Sequence, residues 1–143
     1  MLRNLTINDF DKYIQLLQHF RPSEKIATRQ MFEDFINSYN ITVWVYEDIE
    51  SGKLIGTVTI MYEHKLLFGG CIVGHIEDVC VHPDYRGQGI GSLLIQHVIT
   101  EAQQKNCYKV VLHCAKEVLP FYLANGFEER GVGCSMLLPM VKE

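Results

Sequence analysis

A chain of 143 residues that is 48% apolar has the length of one domain and enough apolar material for a single sizeable core. Its 17 acidic residues outnumber 13 basic ones, a net charge of -4, which argues against a general nucleic-acid or anionic-membrane surface and leaves any anion to be gripped locally. Five cysteines form no C-x-x-C pair and six histidines show no metal-ligand spacing, so reduced thiols in a cytoplasmic protein without a metal are expected.

Asp9, Asp11 and Lys12 interrupt the stretch where a signal peptide would need an apolar core, and no run approaches the roughly 18 apolar residues of a membrane span. LRNLTI reads as a short first strand. NDFDKYIQLLQHF then offers Asn8 as a cap, with Phe10, Ile14 and Leu17 at helical spacing. A second helix is expected over Thr28 to Ser38, with Met31, Phe32, Phe35 and Ile36 as its apolar face. ITVWVYED and KLIGTVTIMYE, rich in β-branched and aromatic residues and joined by a short turn, predict an antiparallel hairpin. HKLLFGGC has no regular pattern, because Gly69-Gly70 breaks it.

IVGHIEDVCVH reads as a strand ended by Pro83, and GIGSLLIQHVITEAQQK as the longest helix, with Ile90, Leu93, Leu94, Val98 and Ala102 along one face. YKVVLHC is a further strand, KEVLPFYLAN a short helix stopped by Gly126, and GFEERGVGCSMLLPM a closing strand or hairpin. Paired strands followed by a strand-helix-strand crossover imply an α/β fold. Its sheet is mixed and mostly antiparallel, with one parallel, buried pair and flanking helices.

The junction HPDYRGQGIGSLL carries chemistry. A glycine-rich turn feeding a helix exposes backbone N–H groups that no helical carbonyl satisfies, and the helix dipole adds to their attraction for an anion. Gly87, Gly89 and Gly91 clear the approach, and Arg86 adds a charged donor. The Walker spacing fails because Ser92 follows Gly91 with no lysine, and GQGIGS is not G-x-G-x-x-G. The competing reading is a turn that only packs its helix closely on the sheet.

Val79 to Val81 on a strand, RGQGIG behind it and FYLANGF near the C-terminus resemble the Gcn5-related N-acetyltransferases. That resemblance implies acetyl-coenzyme A as co-substrate, with the backbone of Val79, Cys80 and Val81 beside the pantetheine arm. Arg86, Gly87, Gln88, Gly89, Ile90, Gly91 and Ser92 would hold the pyrophosphate. A narrower resemblance, carried by GHIED, NCYKVVLHC and LPFYLANGF, is to the eukaryotic-type glucosamine 6-phosphate N-acetyltransferases. It implies direct acetyl transfer to the amine of D-glucosamine 6-phosphate in a ternary complex, on the route to UDP-N-acetylglucosamine. It also implies a homodimer that builds the substrate site at the subunit interface.

The reaction needs a neutral amine, a stabilised oxyanion and a proton for the departing thiolate. Tyr122 matches the family's proton donor, and its ordinary pKa of about 10 lies above the roughly 8.5 of a thiol; the competing reading packs it beside Phe127. Glu77 and Asp78 would orient and charge-pair the sugar amine and hydroxyls. Adjacent strand residues face opposite sides, so both serve one site only if a bulge re-aims one of them; otherwise they are a solvated pair. By resemblance Lys65, Tyr108 and Lys109 line the sugar-phosphate site, with Arg21 and Arg29 as further candidates. The chain departs from the family pattern at His113, at Val118, and in lacking an arginine within SMLLPM. Another amine acceptor, such as a polyamine or a protein N-terminus, and a non-catalytic acyl-coenzyme A sensor are the competing functions.

Overall fold

The structure, a computed structural model, describes residues 1–140. Its regular elements are β1 (Leu2–Asn4), α1 (Phe10–Phe20), α2 (Arg29–Ile36), β2 (Ile41–Glu47), β3 (Leu54–Lys65), β4 (Cys71–Val81), α3 (Ile90–Gln104), β5 (Lys109–Val111) and α4 (Leu119–Ala124). Two compact units divide the chain after Leu112. The first holds the sheet and α1 to α3; the second holds α4 and the residues that follow it.

The five strands lie in the order β1-β2-β3-β4-β5, antiparallel except for the parallel pair β4–β5. Neighbouring β3 residues sort the helices onto two faces. Thr57 reaches the phenol of Tyr13 on α1 at 3.5 Å, whereas a Cβ on Gly56 would meet Ile90 and Leu94 of α3 at 3.0 Å. Gly56 is therefore a point where α3 packs closely on the sheet. On the α1–α2 face the core is built from Tyr13, Leu16, Phe32, Val43, Val45, Leu54 and Cys80. The apolar stripe of α3, with Leu94, Ile95 and Val98 wholly buried, seals the other face.

Four sequence expectations are corrected. Asn8 does not cap α1: a 3-10 turn, Ile7–Asp9, precedes the helix, and the Asp9 carboxylate accepts from the Thr6 backbone and hydroxyl at 2.8 and 2.9 Å while pairing with Arg3 at 2.8 Å. The second helix is shorter than expected because Thr28 lies outside it as the cap, its hydroxyl accepting from the Met31 N–H. The strand expected over YKVVLHC is three residues long and half-exposed, since β5 is an edge with a single partner. The closing strand over 126–140 does not form. Glu128, Glu129 and Arg130 are exposed charges and Gly131 has φ 71°, so the segment lacks the alternating apolar face that pairing rewards.

Candidate functional site

Beyond Val81 the chain makes a 3-10 turn, Pro83–Tyr85, whose first N–H groups are met by His82. Gly87 and Gly89 then take φ of 79° and 82°, and Gly89 is the residue from which α3 starts. A Cβ at either position would meet no atom within 4 Å. The reading in which these glycines only pack the helix on the sheet therefore fails: Gly56 does that work. Their role is conformational, a left-handed path that L side chains adopt at a cost of about 1–2 kcal/mol. It leaves the first turn of α3 open to solvent at its N-terminus, with no side-chain cap. Arg86 is exposed, and its Nε donates to the Val81 carbonyl at 3.3 Å, which ties the cation to the end of β4. A helix start without a side-chain cap, open to solvent and with a tethered guanidinium beside it, can take an anion.

The edge of β4 supplies a second feature. The β4–β5 ladder has three pairs, ending at His75↔Val111, while β4 runs on to Val81. Val79, Cys80 and Val81 thus have no strand beside them on that side among the described residues. An extended amide chain can pair there as a strand would.

Where this open edge begins, β4 bulges. The β3 register passes from Thr57↔Cys80 to Thr59↔Glu77, so Val58 alone opposes both Asp78 and Val79. Asp78 has φ 50°, the left-handed conformation that aspartate tolerates better than most residues. Such a bulge is what can re-aim one of two adjacent carboxylates. Glu77 shares the face of Thr59, and both Glu77 and Asp78 are exposed. Burial, with Asp78 adding to it, pushes the Cys80 thiol up to about 12, so at neutral pH it is no nucleophile.

The basic candidates gather elsewhere. Lys65 faces Cys71 across the hairpin and lies 3.6 Å from Glu63, Tyr108 donates its N–H to Ile72, and Lys109 pairs with Val73. The exposed ring of Phe68, in the β3–β4 turn, sits 5.3 Å from that of Tyr108. Lys65, Tyr108 and Lys109 therefore gather at one end of β4, with the Lys65 row six steps from Glu77, roughly 20 Å at about 3.3 Å each, and the Lys109 row four steps, about 13 Å. The distance from the Lys65 row exceeds the span of a sugar phosphate. Arg21 and Arg29 flank the α1–α2 connection, their guanidinium groups over the rings of Phe20 and Phe10 at 5.4 and 4.7 Å.

In the second unit Tyr122 is buried on α4, edge-on to Phe121 and Phe127 with ring centroids 5.0 and 5.8 Å away. Burial, then the Cys114 thiol, raise its pKa above the usual tyrosine value and keep the phenol protonated. His113 and Val118 are exposed. The bulge entered from the sequence only as a condition on Glu77 and Asp78, and Gly56 escaped it, although its position inside an apolar strand was the available signal.

Residues 10–127 match the family model described as the acetyltransferase (GNAT) family. The glucosamine 6-phosphate N-acetyltransferase of Trypanosoma brucei brucei is 34% identical over 128 residues, covering 88% of this chain and 87% of that protein. Its Schizosaccharomyces pombe counterpart is 42% identical over 102 residues, 71% of this chain and 90% of that one. Among solved structures, the glucosamine-6-phosphate N-acetyltransferase of Arabidopsis thaliana superposes with a TM-score of 0.90 at 30% identity, over 97% of this chain and 98% of the other. With its glycine turn, unpaired β4 edge and mixed sheet accounted for, this chain belongs to the GNAT family of acetyltransferases.

Proposed function

We propose that this chain transfers the acetyl group of acetyl-coenzyme A to the amine of D-glucosamine 6-phosphate, giving N-acetyl-D-glucosamine 6-phosphate. The observation that carries the reading is the bulge at Asp78, which sets two exposed carboxylates beside a strand edge fit for pantetheine that leads on to a helix start fit for pyrophosphate. Backbone groups of Val79, Cys80 and Val81 hold the pantetheine; residues 86–92 hold the pyrophosphate. Glu77 and Asp78 orient the acceptor amine, which needs only a weak base because a sugar amine titrates near neutrality. The amine attacks the thioester carbon directly, since the protonated Cys80 offers no covalent relay. Tyr122, kept protonated by burial, returns a proton to the departing thiolate.

Lys65, Tyr108 and Lys109 grip the 6-phosphate, and the roughly 20 Å between Lys65 and Glu77 along the strand supports a second copy as the source of that grip. The exposed Val132, Met136, Leu137, Leu138 and Met140 also support a homodimer, since such apolar residues need cover. The family match runs across both compact units, which supports one acetyltransferase domain over 1–143. Five free cysteines support a reducing, cytoplasmic setting, and no described helix is long and apolar enough to cross a membrane.

Thiol release from acetyl-coenzyme A, measured with glucosamine 6-phosphate, glucosamine, spermidine and a peptide, tests the reading. Turnover should be fastest with the sugar phosphate. Equal rates with and without the 6-phosphate would remove the phosphate grip, and no release with any amine would leave a sensor.

A further inference from the structure

On the α1–α2 face, away from the bulge, Lys12, Gln15 and His19 project from one stripe of α1 at helical spacing. They line a cleft of about 300 Å³ together with Lys53 and its neighbours in the β2–β3 turn and with His82 at the end of β4. None of the nine lining residues is acidic, in a chain whose acids outnumber its bases. The carboxylates nearby lie outside the lining and are engaged: Glu47 pairs with Lys12 at 3.2 Å and with Arg3 at 2.8 Å, Asp48 accepts from the Ser51 hydroxyl at 2.6 Å and the Tyr85 hydroxyl at 3.1 Å, and Asp84 is 4.0 Å from His82 Nδ1. The His19 and His82 rings sit 4.3 Å apart. His82 Nδ1 accepts the Asp84 N–H, which fixes the tautomer that leaves Nε2 a donor.

We propose that this cleft binds a small phosphate-bearing anion, inorganic phosphate or a phosphomonoester, at a site separate from the coenzyme and acceptor positions. Two lysines, two histidines and a glutamine line it from three chain segments, a set of side chains whose donors suit an anion with several oxygens. Occupancy also has a route to the coenzyme loop. The His82 N–H donates to Ile55, its carbonyl accepts from Tyr85, its ring sets the 3-10 turn, and Arg86 follows that turn. An anion drawing on the His82 ring alters the coenzyme's affinity, and the coenzyme alters the anion's by the same factor. This second step rests on the reading of residues 86–92 as the pyrophosphate loop; anion binding itself does not.

The test titrates inorganic phosphate and glycerol 2-phosphate against chloride of matched ionic strength, following the His19 and His82 ring signals by NMR. Saturable shifts with a dissociation constant of about 1 mM are expected in the wild type and lost in Lys53→Glu, an exposed turn residue; His19→Gln, also exposed, is the second variant. Calorimetry of acetyl-coenzyme A should show an affinity that differs about threefold or more between phosphate and chloride in the wild type only. Ring shifts that do not saturate, or that survive both substitutions, overturn the site. Normal shifts in a protein that fails to bind acetyl-coenzyme A would instead overturn the loop reading and leave the anion site standing.

Discussion

Asp78 combines a backbone role with a charge, and three substitutions separate them. Its φ of 50° costs an ordinary L residue about 1–2 kcal/mol, costs aspartate or asparagine less, and costs glycine nothing. Asp78→Gly should therefore be the most stable of the three variants and Asp78→Ala the least, about 1 kcal/mol apart, or roughly 2–4 °C in Tm for a chain of this size. Activity should rank differently. A hydrogen bond to a charged group contributes about 1.5–3 kcal/mol, so losing the carboxylate from the acceptor amine lowers kcat/KM by roughly 10- to 100-fold in Asn, Gly and Ala alike. Thermal melts and steady-state rates with glucosamine 6-phosphate on the same preparations decide the matter. Full activity in Asp78→Asn would refute the carboxylate's role and leave only the bulge. A less stable glycine than alanine variant would refute the backbone argument.

Tyr122→Phe should lower kcat by about 100-fold or more while leaving the acetyl-coenzyme A dissociation constant within about twofold, as stopped-flow rates and calorimetry would show. Because burial raises the Tyr122 pKa, the protonated donor persists above its ordinary pKa of about 10, and the wild-type kcat should hold to that pH; a loss centred well below it contradicts the assignment. Asp9 is held at about 2 by Arg3 first and by Thr6, so its stabilisation is present above the unfolded pKa of about 3.9 and lost as pH falls through about 2. Asp9→Asn should cost about 2 kcal/mol in urea melts at neutral pH, with the difference closing towards pH 2. Gly56→Ala should destabilise the fold by about 1–3 kcal/mol without changing acetyl-coenzyme A affinity, whereas Gly89→Ala should weaken that affinity, both checked by calorimetry beside thermal melts.

Periodicity made the long elements legible. The apolar stripe of α3, in which Leu93 alone of the expected face is exposed, is set by burial of one face, and β2 and β3 show in their β-branched and aromatic residues, β3 being buried on both faces. Elements that depend on a partner were not legible: β5 stops after three residues and 126–140 forms no strand because pairing, rather than propensity, decides a strand's extent. The Asn8 error has the same origin, since Asp9 is drawn into the Arg3–Glu47 ion-pair network from a distant strand. For the site, the glycine loop was legible because positive φ selects glycine. The bulge was legible only as a condition on Glu77 and Asp78, because aspartate tolerates that conformation without announcing it. The cleft of Lys12, His19, Lys53 and His82 joins three segments whose sequences carry no shared motif.

The bare flank of β4 also bears on how the empty protein behaves. A strand with open N–H and C=O groups is a template for any extended chain, including another molecule of the same protein, and folded proteins ordinarily blunt such edges with charge, proline or a covering element. Val79, Cys80 and Val81 are themselves uncharged, and among them the Val81 carbonyl accepts from Arg86. Coenzyme lying along them would serve as the missing cover, so the tendency to aggregate should fall as the acetyl donor becomes abundant, and the metabolite would act as a chaperone for its own enzyme.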